Sequence, residues 1–459
     1  MMKDLLEKAV ERMRDDGAEF CDARTQTIDR TAIIIVDGGV RTLSDDHMAG
    51  MSFRAKVKGS WGYATLVEGN QQAILDAASK AVHNAQAGGA EGKTIPERKP
   101  TTGTFKAKVK IHPSSVPLAE KISAVRDAER AQRVDGKVVN SNGLYREEVR
   151  HNTLVNSLGD NLDWEEVRTR LFGQAVSSDG TNTEMFYDIL DGSMGWEVVK
   201  DADLVSFGQK VGREAVKMLQ AKKAPSGLVT CISDPYISGL LAHEVMGHAS
   251  EADEIVKQRS FLSKVVGKKV ASEQITMIDD GTVERAHGYI PFDDEGTPSS
   301  RTVIIKDGIY QGYMQSLETA AIMGTKPTGN GRAQDFGRRV WVRMTNTFFD
   351  KGDQKLEEMI EDVKFGVLTE KMVSGMEDPV GGGFEAKSLR GFLIENGKVT
   401  DMLRSFTLTG SALQILQTVD AVGKDVGLDG GMCGKGIEDY VPVSSGGPYC
   451  RSKIVLGGG

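Results

Sequence analysis

Apolar residues in the first segment fall at Leu5, Leu6, Ala9, Val10 and Met13, a spacing that predicts an amphipathic helix over 3–15. Asp15-Asp16-Gly17 ends it. The pattern then changes to strand-like runs at 20–27, 32–36 and 40–43, with a turn at Asp37-Gly38-Gly39. Runs 51–57 and 60–65 predict a hairpin about Lys58-Gly59, followed by a second helix over 70–86. Helix, meander, helix is an α+β module with one covered sheet face.

Residues 87–108 are rich in Gly, Thr, Pro and charge and read as a linker. Beyond them come a helix at 116–133, strand-like runs at 137–142, 147–159, 168–177 and 184–190, and a long helix at 204–219. Pro225-Ser226-Gly227 marks a second boundary, after which a buried-type strand at 228–232 leads into an apolar helix. Tight turns at Lys306-Asp307-Gly308 and Glu395-Asn396-Gly397 predict antiparallel hairpins, interrupted by helices at 356–363 and 412–419. The expected fold class is α+β. An N-terminal α+β module (1–90) and a central α/β module (109–223) precede a mainly antiparallel β-sheet C-terminal domain (225–459) that begins with the apolar helix. No internal repeat is evident.

Composition narrows the function classes. A chain of 459 residues exceeds one ordinary core, so two or three domains are expected. No apolar run approaches the ~20 residues a membrane-spanning helix needs, and charges interrupt the start too early for a secretory segment. The expected location is cytoplasmic. A net charge of −8 argues against a dedicated nucleic-acid binder, which carries a basic excess. Cys21, Cys231, Cys433 and Cys450 are scattered and form no CxxC, as expected of buried cysteines in a reducing compartment.

The apolar helix ends in His243-Glu244-Val245-Met246-Gly247-His248. Two histidines around a glutamate are the parts of a zinc hydrolase: imidazoles hold the metal and the carboxylate handles the proton of the attacking water. The familiar motif places its histidines four apart. Here they are five apart, about 140° off a common face of a regular helix. Gly247, just before the second histidine, is where an extra residue or a π-type turn is easiest to accommodate. Either the string is accidental and His243 and His248 are ordinary helix residues, or the segment is bulged or π-like over 242–249, with both imidazoles on one side. Glu251 and Asp253 follow as acceptors able to orient them. Candidates for a third ligand are His287, Cys433, Cys450 and several carboxylates. Cys433 lies among glycines in Gly430-Gly431-Met432-Cys433-Gly434-Lys435, where backbone can approach an ion closely, and Lys435 would favour its thiolate.

These segments, taken in order, resemble the TldD/PmbA family of zinc-dependent peptidases, once named for modulation of DNA gyrase. The resemblance rests on 243–248 with Ser250-Glu251-Ala252-Asp253, Phe292-Asp293-Asp294-Glu295-Gly296-Thr297-Pro298 and Asn330-Gly331-Arg332. It continues through Arg343-Met344-Thr345-Asn346-Thr347, Leu393-Ile394-Glu395-Asn396-Gly397 and Met432-Cys433-Gly434-Lys435, with weaker matches around Arg54 and Trp61-Gly62-Tyr63-Ala64. It implies that His243, His248 and Cys433 bind Zn2+ and that Glu244 is the general base. It also implies a TldD-like, metal-bearing member that acts on unfolded or flexible peptides inside a dimer cavity. Its partner would be a TldE/PmbA-like paralogue (heterodimer) or a second copy (homodimer), with no nucleic acid and no membrane. Departures from the family pattern are the segment 437–442, Cys450 and His287.

Three further expectations concern the cleft. Tyr440 or Arg343 would either help stabilise the oxyanion or serve the structure. The loop at Asp293-Asp294-Glu295-Gly296 would either line the cleft and recognise substrate or form a solvated acidic turn. Thr345-Asn346-Thr347 would pair with an extended peptide. The competing reading is a non-catalytic scaffold or binding protein with a structural zinc, which would need a fourth protein ligand such as Cys450.

Overall fold

The computed structural model describes residues 2–89, 92–378, 380–436 and 439–457. Helix α1 (Met2–Asp15) buries Leu6, Ala9, Val10 and Met13, the stripe its spacing predicts. The strand-like runs after it are pieces of two long strands, β1 (Phe20–Val36) and β2 (Gly39–Val57). The polar run Ser44-Asp45-Asp46-His47 looks like a break in sequence, yet it pairs with β1 from Ala32 to Asp29. It is polar because this part of β2 is largely solvent-exposed. Strand β3 (Ser60–Leu66) follows, then α2 (Gln71–Ala87), whose first turn is capped by the Asn70 side chain accepting the Ala73 N–H.

The central segment contains β4 (Thr102–Phe105), α3 (Leu118–Arg130), β5 (Val138–Asn156), β6 (Asn161–Ser178), β7 (Thr183–Gly192) and α4 (Leu204–Met218). β4 corrects the linker expectation: its backbone pairs in parallel with the start of β6. These strands join those of the first segment in one sheet, ordered β3-β2-β1-β5-β6-β4, with β7 also on β6. β1 and β5 pair from Asp22↔Asn156 to Val36↔Asn142.

The two faces of this sheet differ in chemistry. Along β1, Cys21 and Ala23 pack in a core with α1 and α2, and Ile33 and Ile35 pack with α3 and α4. The alternate positions Asp22, Arg24, Gln26 and Arg30 point to the other side, as the two-residue strand period requires. That polar side docks the C-terminal domain. Arg54 on β2 donates to Asp22 at 2.8 Å and to Glu295 at 3.0 Å, and Arg24 pairs with Asp294. Arg168 donates to the carbonyls of His287 (2.8 Å) and Tyr289 (2.9 Å).

The acidic loop is therefore taken up in this joint, where Asp294 lines a cavity of about 190 Å³ with Arg24, Arg54 and Tyr63. Asp293 and Glu295 are buried in this joint, and Asp293 accepts the N–H groups of Glu295, Thr297 and Gly331 at 2.8–3.0 Å. Its physical role is to match arginines from a distant part of the chain.

The C-terminal domain adds β8 (Gly227–Ser233), β9 (Met277–Asp280), β10 (Arg301–Lys306), β11 (Ile309–Tyr310) and β12 (Asn346–Phe349). It continues with β13 (Phe365–Glu377), β14 (Gly383–Glu395), β15 (Lys398–Leu403), β16 (Phe406–Ser411), β17 (Gly427–Lys435), β18 (Asp439–Gly447) and β19 (Cys450–Gly457). One sheet runs β11-β10-β9-β12-β18-β17. The other runs β13-β8-β19-β16-β14-β15, and because β13 also pairs with β14 it closes into a small barrel. Most pairs are antiparallel; β12–β18 and β8–β13 are parallel. β12 lies between β9 and β18, with Thr345, Asn346 and Thr347 all buried. Both edges of this strand are already paired, so it cannot add an extended peptide. Among the described residues no helix is long and apolar enough to cross a membrane.

Candidate metal centre

The histidine-bearing segment starts where β8 ends. The Asp234 side chain accepts the Ile237 N–H and Pro235 occupies the first turn of α5 (Pro235–Leu240), a helix start that suits the missing proline donor. α5 continues without a break into a π-helical stretch, Leu241–Gly247. There the His248 N–H donates to the carbonyl of His243, five residues back. The five-residue spacing thus gives the irregular turn it implies.

Two close approaches hold this element in place. A Cβ on Gly239 would lie 2.4 Å from the Gly446 nitrogen of β18, and a Cβ on Gly247 would lie 2.2 Å from Met344 Sδ. Glycine lets the helix settle onto the sheet that carries the cysteine.

Cys433 arrives on β17, opposite Val441 of β18. Its Sγ is 3.4 Å from His248 Nε2, and the His243 and His248 rings lie 5.2 Å apart nearly at right angles. One ligand atom from each of His243, His248 and Cys433 falls within 4.8 Å of the others. Tetrahedral zinc with Zn–S about 2.3 Å and Zn–N about 2.0 Å separates such a sulfur–nitrogen pair by roughly 3.5 Å. His243 Nδ1 is buried without a hydrogen-bond partner among the described residues, an atom that a cation would satisfy. The donor set and the orphaned nitrogen fit zinc.

Burial opposes charge on all three groups, yet their mutual attraction prevails. The imidazoles bring the Cys433 thiol well below its ordinary range, and Cys433 in turn raises His243 and His248, the latter strongly. Glu244 Oε2 lies 3.8 Å from His248 Nε2 at the partly exposed side of the cluster. Behind it, Glu251 Oε2 stands 3.6 Å from His248 Nδ1 and 2.7 Å from Lys435 Nζ. Against its burial, Lys435 and His248 hold Glu251 below the usual carboxylate range. Lys435 also meets Asp253 at 2.7 Å, so its charge is committed to carboxylates and acts on the thiolate only from a distance.

The other sequence candidates lie elsewhere. Cys450 is buried in β19, where desolvation pushes its thiol up to about 12 and its Sγ contacts the Pro448 carbonyl. His287 sits in the joint with the N-terminal sheet. Arg343 donates to the carbonyls of Cys433 (2.5 Å) and Asp439 (2.9 Å), so it braces the cysteine hairpin and is not aimed at an oxyanion. Tyr440 pairs with Gly434, which places its ring on the face of the hairpin opposite Cys433. Ile437 and Glu438 lie outside the described residues. Asp429 escaped sequence reasoning. It shares the Cys433 face of β17, and burial with nearby Asp191 raises its carboxyl to about 7. The strand period was the available signal.

An α+β chain whose π-turn histidines meet a sheet-borne thiolate falls in the class of metallopeptidases. Family models match it along most of its length: the PmbA/TldA metallopeptidase domain 1 at 21–85, central domain at 111–222 and C-terminal domain at 226–458. The chain belongs to the PmbA/TldD metallopeptidase family. A metalloprotease of Methanothermobacter thermautotrophicus is 33% identical across 97% of this chain and 96% of its own. The zinc metalloprotease TldD homologue of Saccharolobus solfataricus is 25% identical, covering 98% and 99%. The crystal structure of TldE from Thermococcus kodakarensis shares the fold, with TM-score 0.76 at 19% identity over 98% of this chain and 99% of that one.

Proposed function

We propose that this chain is a zinc-dependent peptidase that hydrolyses unfolded or flexible peptides, with His243, His248 and Cys433 as metal ligands and Glu244 as general base. The observation that carries the reading is the convergence of these three donors, with a carboxylate beside them on the open side. When bound, zinc supplies Lewis acidity toward the scissile carbonyl and the attacking water. Glu244 accepts the proton of that water at a carboxylate oxygen and returns it to the leaving amine. Glu251 fixes the orientation of His248 through Nδ1, and Lys435 fixes Glu251. Arg343 holds the Cys433 carbonyl, keeping the sulfur turned toward the histidines. The partner in the proposed dimer is a TldE/PmbA-like paralogue or a second copy, a reading supported by the shared fold of TldE.

A scaffold with a structural zinc is the competing reading. Structural sites close with four protein ligands, and among the described residues three donors meet here, with Cys450 outside the cluster. The test compares wild type with Glu244→Gln and Cys433→Ser, measuring zinc stoichiometry and cleavage of an unstructured peptide, with and without the paralogue. Glu244→Gln is expected to keep zinc and lose cleavage, and Cys433→Ser to lose both. Wild-type cleavage by Glu244→Gln rules out the assigned base, and undiminished zinc in Cys433→Ser rules out the ligand set.

A further inference from the structure

The polar face of the N-terminal sheet is built from cross-strand rows. One row reads Asp46, Arg30, Glu148, Arg168 across β2, β1, β5 and β6, and its charges alternate. The Arg30 Nε contacts Glu148 at 2.7 Å, and against burial Arg150, Arg30 and Arg168 together keep Glu148 ionised. The next row reads Ser44, Ala32, Arg146, Arg170, Asp191, continuing onto β7. Here two arginines stand directly opposite each other. Arg170 takes Asp191 through two nitrogens, at 3.0 and 2.5 Å. Arg146 is exposed and forms no ion pair among the described residues. Like charges opposite one another on adjacent strands are destabilising unless something lies between them.

A cavity of about 330 Å³ opens over these rows, with Arg30, Arg146, Arg168 and Arg170 among its walls and His287 and Met432 on the side of the C-terminal domain. His287 is buried, and its Nδ1 has no hydrogen-bond partner among the described residues; Asp191 is 3.9 Å away. Burial and the neighbouring Arg170 and Arg168 hold its ring well below the ordinary histidine range, so it is neutral there and can donate one hydrogen bond. The same surplus is felt by Arg332, which burial and nearby Arg168 lower to about 9. The acids on the wall are already used: Glu147 pairs with Lys121 at 2.6 Å and Glu148 with the arginines. Asp46 faces Arg30 in register.

We propose that this cavity binds a carboxylate-type oxyanion between Arg146, Arg170 and His287, and that it takes the free C-terminal carboxylate of a peptide. The anion site stands on the rows alone; its assignment to a peptide terminus rests on the peptidase reading. Met432, on its wall, directly precedes Cys433 but points to the opposite face of β17. Occupancy therefore presses on the cysteine hairpin from behind the metal centre.

The test uses the full chain carrying Glu244→Gln, so that binding is measured without turnover. Calorimetric titrations compare acetyl-dialanine, its C-terminal amide and inorganic phosphate, each with and without Arg146→Gln or His287→Gln. The free acid is expected to bind at least about tenfold more tightly than the amide, since charge-assisted bonds to arginine are lost in the amide. Arg146→Gln should weaken the acid at least about fivefold without lowering the melting temperature, because its side chain is exposed and unpaired and faces a like charge. Equal binding of acid and amide, or an acid affinity indifferent to Arg146→Gln, overturns the site. Phosphate binding without acid binding overturns the peptide terminus as the source. Failure here leaves the zinc and cleavage results on Glu244 and Cys433 untouched, and failure of those leaves this measurement standing.

Discussion

The His248 amide donates to the carbonyl of His243 five residues earlier, and this one bond brings both imidazoles to the Cys433 side. An α-helical turn would pair His248 with Glu244 instead and swing the rings apart. Gly247 sits inside the turn against fully buried Met344. Gly247→Ala is therefore expected to cost about 1–3 kcal/mol through overpacking and to weaken zinc. Adding Met344→Ala should recover part of the zinc affinity. Denaturant unfolding and chelator competition measure the two effects; a Gly247→Ala protein with wild-type zinc affinity counts against a tightly set π-turn.

Removing the support behind His248 should act on affinity while sparing the fold. Glu251→Gln keeps the shape but removes the charge that holds His248 Nδ1 and one of the three carboxylates around Lys435. Zinc affinity should fall about 10–100-fold. Chelator competition reads this directly, and an unchanged affinity removes Glu251 from the positioning scheme.

The domain joint makes a stability prediction. Arg54 is buried between Asp22 and Glu295, so Arg54→Met strands two carboxylates without a cation. The cost should be about 3–5 kcal/mol, and Arg54→Met with Glu295→Gln should recover part of it. Urea denaturation of the single and double variants checks both. Additive losses would show that the pair is not coupled.

Asp429 should leave a signature in the pH dependence of stability. Its carboxyl is raised to about 7 in the fold, chiefly by burial and then by Asp191, against about 3.9 when unfolded. Between those values the folded chain holds a proton that the unfolded chain has released. Stability therefore falls as pH rises from about 4 to about 7 and is flat beyond. Asp429→Asn removes this slope and, at pH 8, should stabilise on the order of 2 kcal/mol. Thermal melts from pH 4 to 8 decide it; parallel curves for variant and wild type refute the raised carboxyl.

What the sequence made legible was local. Histidines five apart beside Gly247 contain their own irregular turn, and the apolar spacing of Leu6, Ala9, Val10 and Met13 contains α1. What it hid depends on partners far along the chain. Asp294 and Glu295 look like a solvated acidic turn until Arg24 and Arg54, some 240–270 positions earlier, are set against them. Ser44 to His47 look like a loop because exposed strand and loop share the same polar composition. Thr345 to Thr347 look available because neighbours such as Ser444 and Asp279 cannot be seen from the run itself.

The pairing of β1 with β5 also sets a clock on synthesis. Val36 must wait for Asn142 before the outer edge of β1 closes, an interval of about 10 s at roughly 10 residues per second. Through that interval a 17-residue strand leaves the ribosome with one edge unpaired. Arg24 and Arg30, whose partners Asp294 and Glu148 come later in the chain, meanwhile keep that edge charged and discourage one nascent chain from zipping onto another.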